Sequence, residues 1–236
     1  MTDLASTREV QNKFNSTGAI KLHLGCGPRY LPGYTHVDVQ EYPHVNIIQD
    51  ITQEMDHLFA PGTVDEIYAC HVLEHIPRAQ VITTLCHWQN LLKIGGKLRL
   101  AVPDFEAVVE LYRQDPLLLQ TSLFGLLYGG QRNIWDFHTI AYDFANMQRL
   151  LKQLGFADVE RYQWQDFLPS GYDDYSRCYL PHHDVENGRL MSLNIVATKI
   201  TPPLLDAVDF LIYLTRHNPP TIAKYWDTRL SSPQQA

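Results

Sequence analysis

No run of five like charges occurs anywhere in the 236 residues, so the chain carries neither an acidic nor a basic tail. Basic residues are in deficit, 19 Lys+Arg against 26 Asp+Glu, for a formal charge of −7. That balance argues against a non-specific grip on phosphate backbones, and no nucleic-acid partner is expected. Cysteine is scarce: Cys26, Cys70, Cys86 and Cys178 lie far apart without a C-x-x-C pair. Two of them fall in apolar segments, which points to reduced thiols and a cytoplasmic compartment. Residues Met1–Val10 lack an apolar core and carry Asp3, Arg8 and Glu9, unlike a signal peptide. The most apolar late stretch, Leu204–Leu214, is broken by Asp206 and Asp209 and is too short to cross a bilayer. What is present is ordinary globular material, 45% hydrophobic with 11% aromatic residues. Disordered, collagenous and coiled-coil chains are excluded, and one domain of generous size, or one domain with an appendage, is expected.

Strand and helix signals alternate. Short apolar runs at Ala19–Leu24, Tyr34–Val39, Val45–Gln49, Val64–Cys70 and Lys97–Val102 read as strands, the last announced by Gly95-Gly96. Helical spacing appears in His75–Leu92, through Ile76, Val81, Leu85, Trp88 and Leu92, and again in Phe144–Leu154, capped by Asp143 and ended by Gly155. Val159–Trp164 and Leu193–Thr198 complete a set of seven strands. Such alternation predicts parallel βαβ units with ligands at the carboxyl ends of the strands. Residues 201–216 read as one more helix, packed on the body, with a homodimer contact or a membrane-surface contact as alternatives.

Leu22-His23-Leu24-Gly25-Cys26-Gly27 runs a strand directly into G-x-G, where the lack of a Cβ lets backbone approach a ligand. The next two strands end in Asp38 and Asp50, and a carboxylate at the second strand's end can accept both hydroxyls of a ribose. Spacing separates the nucleotide readings. The dinucleotide fingerprint requires G-x-G-x-x-G and an acid about 20 residues on. Here Pro28-Arg29-Tyr30 follows the second glycine, and the Lys-Ser/Thr of a phosphate loop is missing, so NAD and ATP sites are disfavoured.

These residues, with Val64-Asp65-Glu66-Ile67-Tyr68-Ala69-Cys70-His71-Val72-Leu73-Glu74-His75-Ile76 and Leu91-Leu92-Lys93-Ile94-Gly95-Gly96-Lys97-Leu98, resemble the class I S-adenosylmethionine-dependent methyltransferases, type-11-like. The order and spacing of the last two blocks are the most specific part. The likeness is greatest to a bacterial subgroup associated with surface-polysaccharide synthesis, which Gly129-Gly130-Gln131, His138, Leu154-Gly155-Phe156 and Ser192-Leu193-Asn194 also resemble. It implies an α/β, Rossmann-like class I methyltransferase fold, with a mostly parallel seven-stranded sheet and helices on both faces. It further implies that Gly25, Cys26 and Gly27 contact the methionine part of S-adenosyl-L-methionine. Asp38 would hold the ribose, Asp50 and Ile51 the adenine, and Cys70 and His71 would line the sulfonium. One departure stands out: the usual helix between the first two strands is cut to a Pro-Arg-Tyr-Leu-Pro-Gly loop.

Methyl transfer to an alcohol needs a base, and histidine is the default near neutral pH. His138, on a loop expected to overhang the cofactor, is the first candidate and His75 the second; a surface or hydrogen-bonding role weighs equally for either. Tyr172 and Tyr175 are candidates for stacking on an acceptor, a small molecule or carbohydrate, though their loop also reads as a solvated hairpin. Cys26 reads as a small filler, His23 as a satisfied core histidine, and Asp104 as a helix cap. His71-Val72-Leu73-Glu74-His75 also matches H-x-x-E-H, which in inverted zinc peptidases supplies two ligands and a base from one helix face. The first histidine falls at a strand end, so this hydrolase is the minor reading. His182-His183-Asp184 lacks a further ligand, and no metal is assigned.

The resulting expectation is a cytoplasmic methyltransferase acting on an oxygen of a sugar or glycan. Alternatives are N- or C-methylation of a small metabolite, the zinc hydrolase, and a cofactor-binding scaffold without turnover. The expected organisation is an N-terminal segment 1–18, a methyltransferase domain 19–199 with acceptor-site insertions near 113–142 and 165–191, and a C-terminal helical extension 200–236.

Overall fold

A computed structural model describes residues 18–203. The strand β1 (Lys21–Leu24) is followed by β2 (Thr35–Asp38), β3 (Ile47–Ile48) and β4 (Val64–Cys70). The helix α1 (Arg78–Leu91) leads into β5 (Leu92–Pro103), then come α2 (Phe105–Gln114), α3 (Ser122–Tyr128) and α4 (Phe144–Gln153). Strand β6 (Phe156–Arg161), the single turn α5 (Trp164–Phe167), the ribbon β7 (Tyr179–Leu180) and β8 (Arg189–Leu190), and β9 (Ser192–Lys199) close the order. Seven strands form one sheet in the order β3-β2-β1-β4-β5-β9-β6, parallel except for β9, which runs against both neighbours. The expected fold class is therefore present.

Strand alternation divides the core. Leu22, Leu24, Ile67, Ala69, Leu98 and Leu100 face one side, under α1 and α4, with Trp88, Leu85, Met147 and Leu151 all buried. The intervening residues Tyr68, Cys70 and Ala101 face the other, covered by α5 and the loop around Leu31. That second face is thin: among the described residues no helix joins β1 to β2, as the short Pro-Arg-Tyr-Leu-Pro-Gly segment predicted.

Several boundaries differ from expectation for local reasons. Helix α1 starts at Arg78, because Pro77 cannot continue the separate 3-10 turn Leu73–His75 into it. Strand β5 extends back to Leu92 through Gly95 and Gly96, where a Cβ at 96 would meet the Val64 carbonyl at 3.0 Å. The helix α2, capped by Asp104 as predicted, runs just into the 113–142 insertion, and α3 lies wholly within it. No helix among the described residues is long and apolar enough to cross a membrane. The helix expected at 201–216 lies almost wholly outside the described residues.

Candidate active site

Chain order in the sheet reverses direction between β1 and β4, the point at which open α/β sheets bind ligands at the carboxyl ends of their strands. Gly25, Asp38, Asp50 and His71 stand at the ends of β1, β2, β3 and β4 respectively. The glycine turn is shaped by its neighbours. Gly25 has φ +62°, and a Cβ there would lie 2.6 Å from Val72 Cγ2; Gly27 has φ +52° and faces open space. Its N–H donates to Asp38 Oδ2 at 2.7 Å, while Gln40 N–H donates to Oδ1 at 2.8 Å. One lone pair on each Asp38 oxygen is thereby used and the others are left for a diol. Cys26 is buried and its thiol is pushed up to about 12 by burial, which suits a filler rather than a reactive group.

Asp50 is exposed and its Oδ1 closes a local turn by accepting from Thr52 N–H and Oγ1–H. The Ile51 carbonyl accepts from Trp88 Nε1 at 2.8 Å, which fixes the backbone at this strand end. Cys70 is buried, and burial raises its thiol pKa well above the ordinary value. His71 is held at φ +51°, a left-handed conformation uncommon outside glycine, with its N–H donating to the Ala101 carbonyl at 2.7 Å.

The residues after His71 gather the titratable groups. Glu74 is 1% exposed, and neither of its carboxylate oxygens has a hydrogen-bond partner among the described residues. His71 Nδ1 lies 3.2 Å from Glu74 Oε1 without the alignment of a hydrogen bond, and His138 Nε2 lies 4.0 Å from the same oxygen. Burial pushes the Glu74 carboxyl up, but His71, His75 and His138 outweigh it and leave the pKa below its ordinary value. Burial lowers the His138 pKa despite Glu74. The two candidate bases meet: the His75 and His138 rings are edge-on at 4.7 Å. His138 is brought there because Thr139 N–H donates to the Glu74 carbonyl at 2.7 Å and Tyr142 OH to the Leu73 carbonyl at 3.3 Å. The hydrolase arrangement is not formed. Residues 73–75 make a 3-10 turn rather than one helix face, and His71 turns its Nε2 to Ser192 Oγ at 3.1 Å.

The tyrosines separate. Tyr175 is 53% exposed, with its ring 5.3 Å from that of His71. Tyr172 packs against the second face beside Leu31 and Tyr68, its hydroxyl buried without a partner among the described residues. Between them, Asp174 is buried and accepts from Tyr68 OH at 2.6 Å and from Ser176 N–H and Oγ–H. The chain of contacts continues through the Ser176 carbonyl, Asn194 and Ser192 to His71. This segment is pinned, contrary to a solvated hairpin. Its signal in the sequence was the pairing of Asp174 with Ser176, an Asx-type turn, which spacing alone does not connect to Tyr68 across 106 residues. His23 is also a correction. It is buried against Tyr68 and His36, but its Nδ1 has no partner among the described residues, and burial lowers its pKa to about 3.

No family model and no curated protein matches the chain. Solved structures similar to it include a methyltransferase from Archaeoglobus fulgidus described as SAM-dependent, with 14% identity and a TM-score of 0.47, covering 82% of this chain and 93% of that one. Another is the 1,6-didemethyltoxoflavin N1-methyltransferase of Burkholderia thailandensis with S-adenosylhomocysteine bound, with 16% identity and a TM-score of 0.48, covering 85% and 80%. A third is the CurJ carbon methyltransferase, with 18% identity and a TM-score of 0.46; it matches 78% of this chain, which spans about half its length (49%). These likenesses concern the path of the chain, and the chemistry of those proteins stays theirs.

Proposed function

We propose that the protein is an S-adenosylmethionine-dependent methyltransferase that O-methylates a sugar or glycan hydroxyl, in keeping with the surface-polysaccharide subgroup its sequence resembles. The observation that carries this reading is the Asp38 carboxylate, clamped to the Gly27 amide at 2.7 Å with lone pairs to spare, beside open space at the sheet's reversal point. Bound there, the cofactor supplies an activated methyl on a sulfonium. Gly25 and Gly27 hold the methionine part through backbone, Asp38 accepts the ribose hydroxyls, and Asp50 with Ile51 flanks the adenine. Cys70 and the strained His71 shape the wall beside the sulfonium.

The acceptor enters between the insertions, where Arg132 of one faces Tyr175 of the other, and stacks on the exposed Tyr175 ring. Held by Gly25, Gly27 and Asp38, the cofactor would offer its methyl carbon to the acceptor oxygen, the electron pair of the carbon–sulfur bond going to sulfur. The hydroxyl proton passes to the His75–His138 pair, His138 first, with buried Glu74 stabilising the charge gained.

Calorimetric titration with S-adenosylhomocysteine tests the cofactor half: micromolar binding that is lost in Asp38→Ala is expected, and no binding to the wild type overturns it. A screen of sugar acceptors with labelled cofactor tests the other half. Loss of His138 should then cut the rate about 100-fold or more, the usual scale of general-base catalysis. An N- or C-methyltransferase would lose little.

A further inference from the structure

We propose that Glu74, His75 and His138 form a binding site for one divalent transition-metal ion of the zinc type. The three residues come from two separate segments, yet one ligating atom of each lies within 4.8 Å of the others. Two further observations point to an ion. The Glu74 carboxylate is almost fully buried with neither oxygen hydrogen-bonded among the described residues, its nearest groups being His71 Nδ1 at 3.2 Å and His138 Nε2 at 4.0 Å, and burial penalises such a charge unless a cation compensates it. Both imidazoles also have their other nitrogen committed to backbone. His75 Nδ1 faces the Phe137 carbonyl at 3.2 Å and His138 Nδ1 faces the Leu126 carbonyl at 2.9 Å. A carbonyl only accepts, so each Nδ1 carries a proton, and in the neutral ring Nε2 is the atom left with a lone pair for an ion. This is the outer-shell pattern that orients histidine ligands on a metal.

Two nitrogens and one carboxylate oxygen suit a zinc-type ion, and three protein ligands leave a coordination position open. Ligands about 2.1 Å from one tetrahedral ion lie about 3.4 Å apart. The 4.0 Å between His138 Nε2 and Glu74 Oε1 therefore closes with a small side-chain adjustment. This differs from the H-x-x-E-H ligand set, because Glu74 is a ligand rather than a base and His71 stays outside. Resting on the proposed methyltransferase reading, the inference gives the site a second way to acidify an acceptor. A hydroxyl on the open position loses its proton to solvent water, and both Nε2 lone pairs are then held by the ion.

The test uses the full chain stripped with a chelator, then titrated separately with Zn2+ and Co2+. The expected result is one equivalent of Zn2+ and visible d–d absorption from Co2+ in a low-symmetry nitrogen–oxygen site. His75→Ala and His138→Ala should each weaken Zn2+ by more than about 100-fold, beyond the loss of an outer-shell hydrogen bond. His182→Ala, in the surface pair His182-His183, should not. Circular dichroism of the stripped variants separates lost ligation from lost fold, and Glu74→Gln supplies a near-isosteric third variant. Absent stoichiometric binding, or equal binding by wild type and His138→Ala, overturns the site. S-adenosylhomocysteine binding is read on the same samples. Cofactor without zinc sinks only this inference, and zinc without cofactor sinks only the methyltransferase reading.

Discussion

A methyl group on residue 25 would press into the Val72 side chain at 2.6 Å, on a backbone already at φ +62°. Gly25→Ala therefore carries both a steric and a conformational cost, the second of order 1–3 kcal/mol. Its expected effect is a loss of S-adenosylhomocysteine affinity of at least about tenfold by calorimetry, with a lowered urea midpoint. His23 makes the acid prediction. Folded, it stays neutral down to about pH 3; unfolded, it takes up a proton below its ordinary value of 6.5. Between those values the unfolded chain binds more protons, so this group's stabilisation is full above about 6.5 and falls as pH drops toward 3. The slope is up to about 1.4 kcal/mol per pH unit. Urea unfolding from pH 7 to pH 4 should show it, and His23→Phe should flatten it; an unchanged slope would place the acid sensitivity elsewhere.

Elements are joined by a few buried polar contacts that burial makes expensive to break. Lys199, the last residue of β9, is buried and its Nζ–H groups donate to the Gln89 and Leu92 carbonyls at 2.7 Å each. A cation there satisfies the open end of α1 and complements its dipole, although burial lowers its pKa. Lys199→Ala is expected to cost about 1–3 kcal/mol in urea unfolding, since two buried carbonyls lose their donor. Asp174→Ala should cost a comparable amount, about 1–3 kcal/mol, by stranding the Tyr68 hydroxyl, and should make the segment around Tyr175 the first site of limited proteolysis. Asp143 and Asp104 were legible as caps because a cap is a local event; Lys199 was not, because its partners lie more than 100 residues away.

The whole molecule shows where sequence reading succeeds. Short apolar runs ending at Leu24 and Cys70 and the stripe of Met147 and Leu151 made the sheet and its helical cover readable, since strands covered on both faces read as apolar runs and a helix covering a sheet reads as a stripe. The glycine turn and the acidic strand ends were readable for the same reason, being consecutive along the chain. The Glu74–His138 approach was not, because it depends on Thr139 and Tyr142 fastening a distant insertion onto residues 73–76. A ligand that binds only the folded chain stabilises all of it by mass action. At 100 times its dissociation constant S-adenosylhomocysteine should add about 2.7 kcal/mol. For a chain of this size that corresponds to roughly 5–10 °C in the melting midpoint. A flat melting profile across such a titration would count against the cofactor site as a whole.

The Gly27 amide, pointed at the Asp38 carboxylate, has a use of its own. A charge-assisted hydrogen bond deshields the proton it holds. That single resonance should stand apart, downfield in a nitrogen–proton spectrum, as a built-in gauge of the site. When a diol draws on the same carboxylate the gauge must move, so occupancy can be followed at one atom without any acceptor being known.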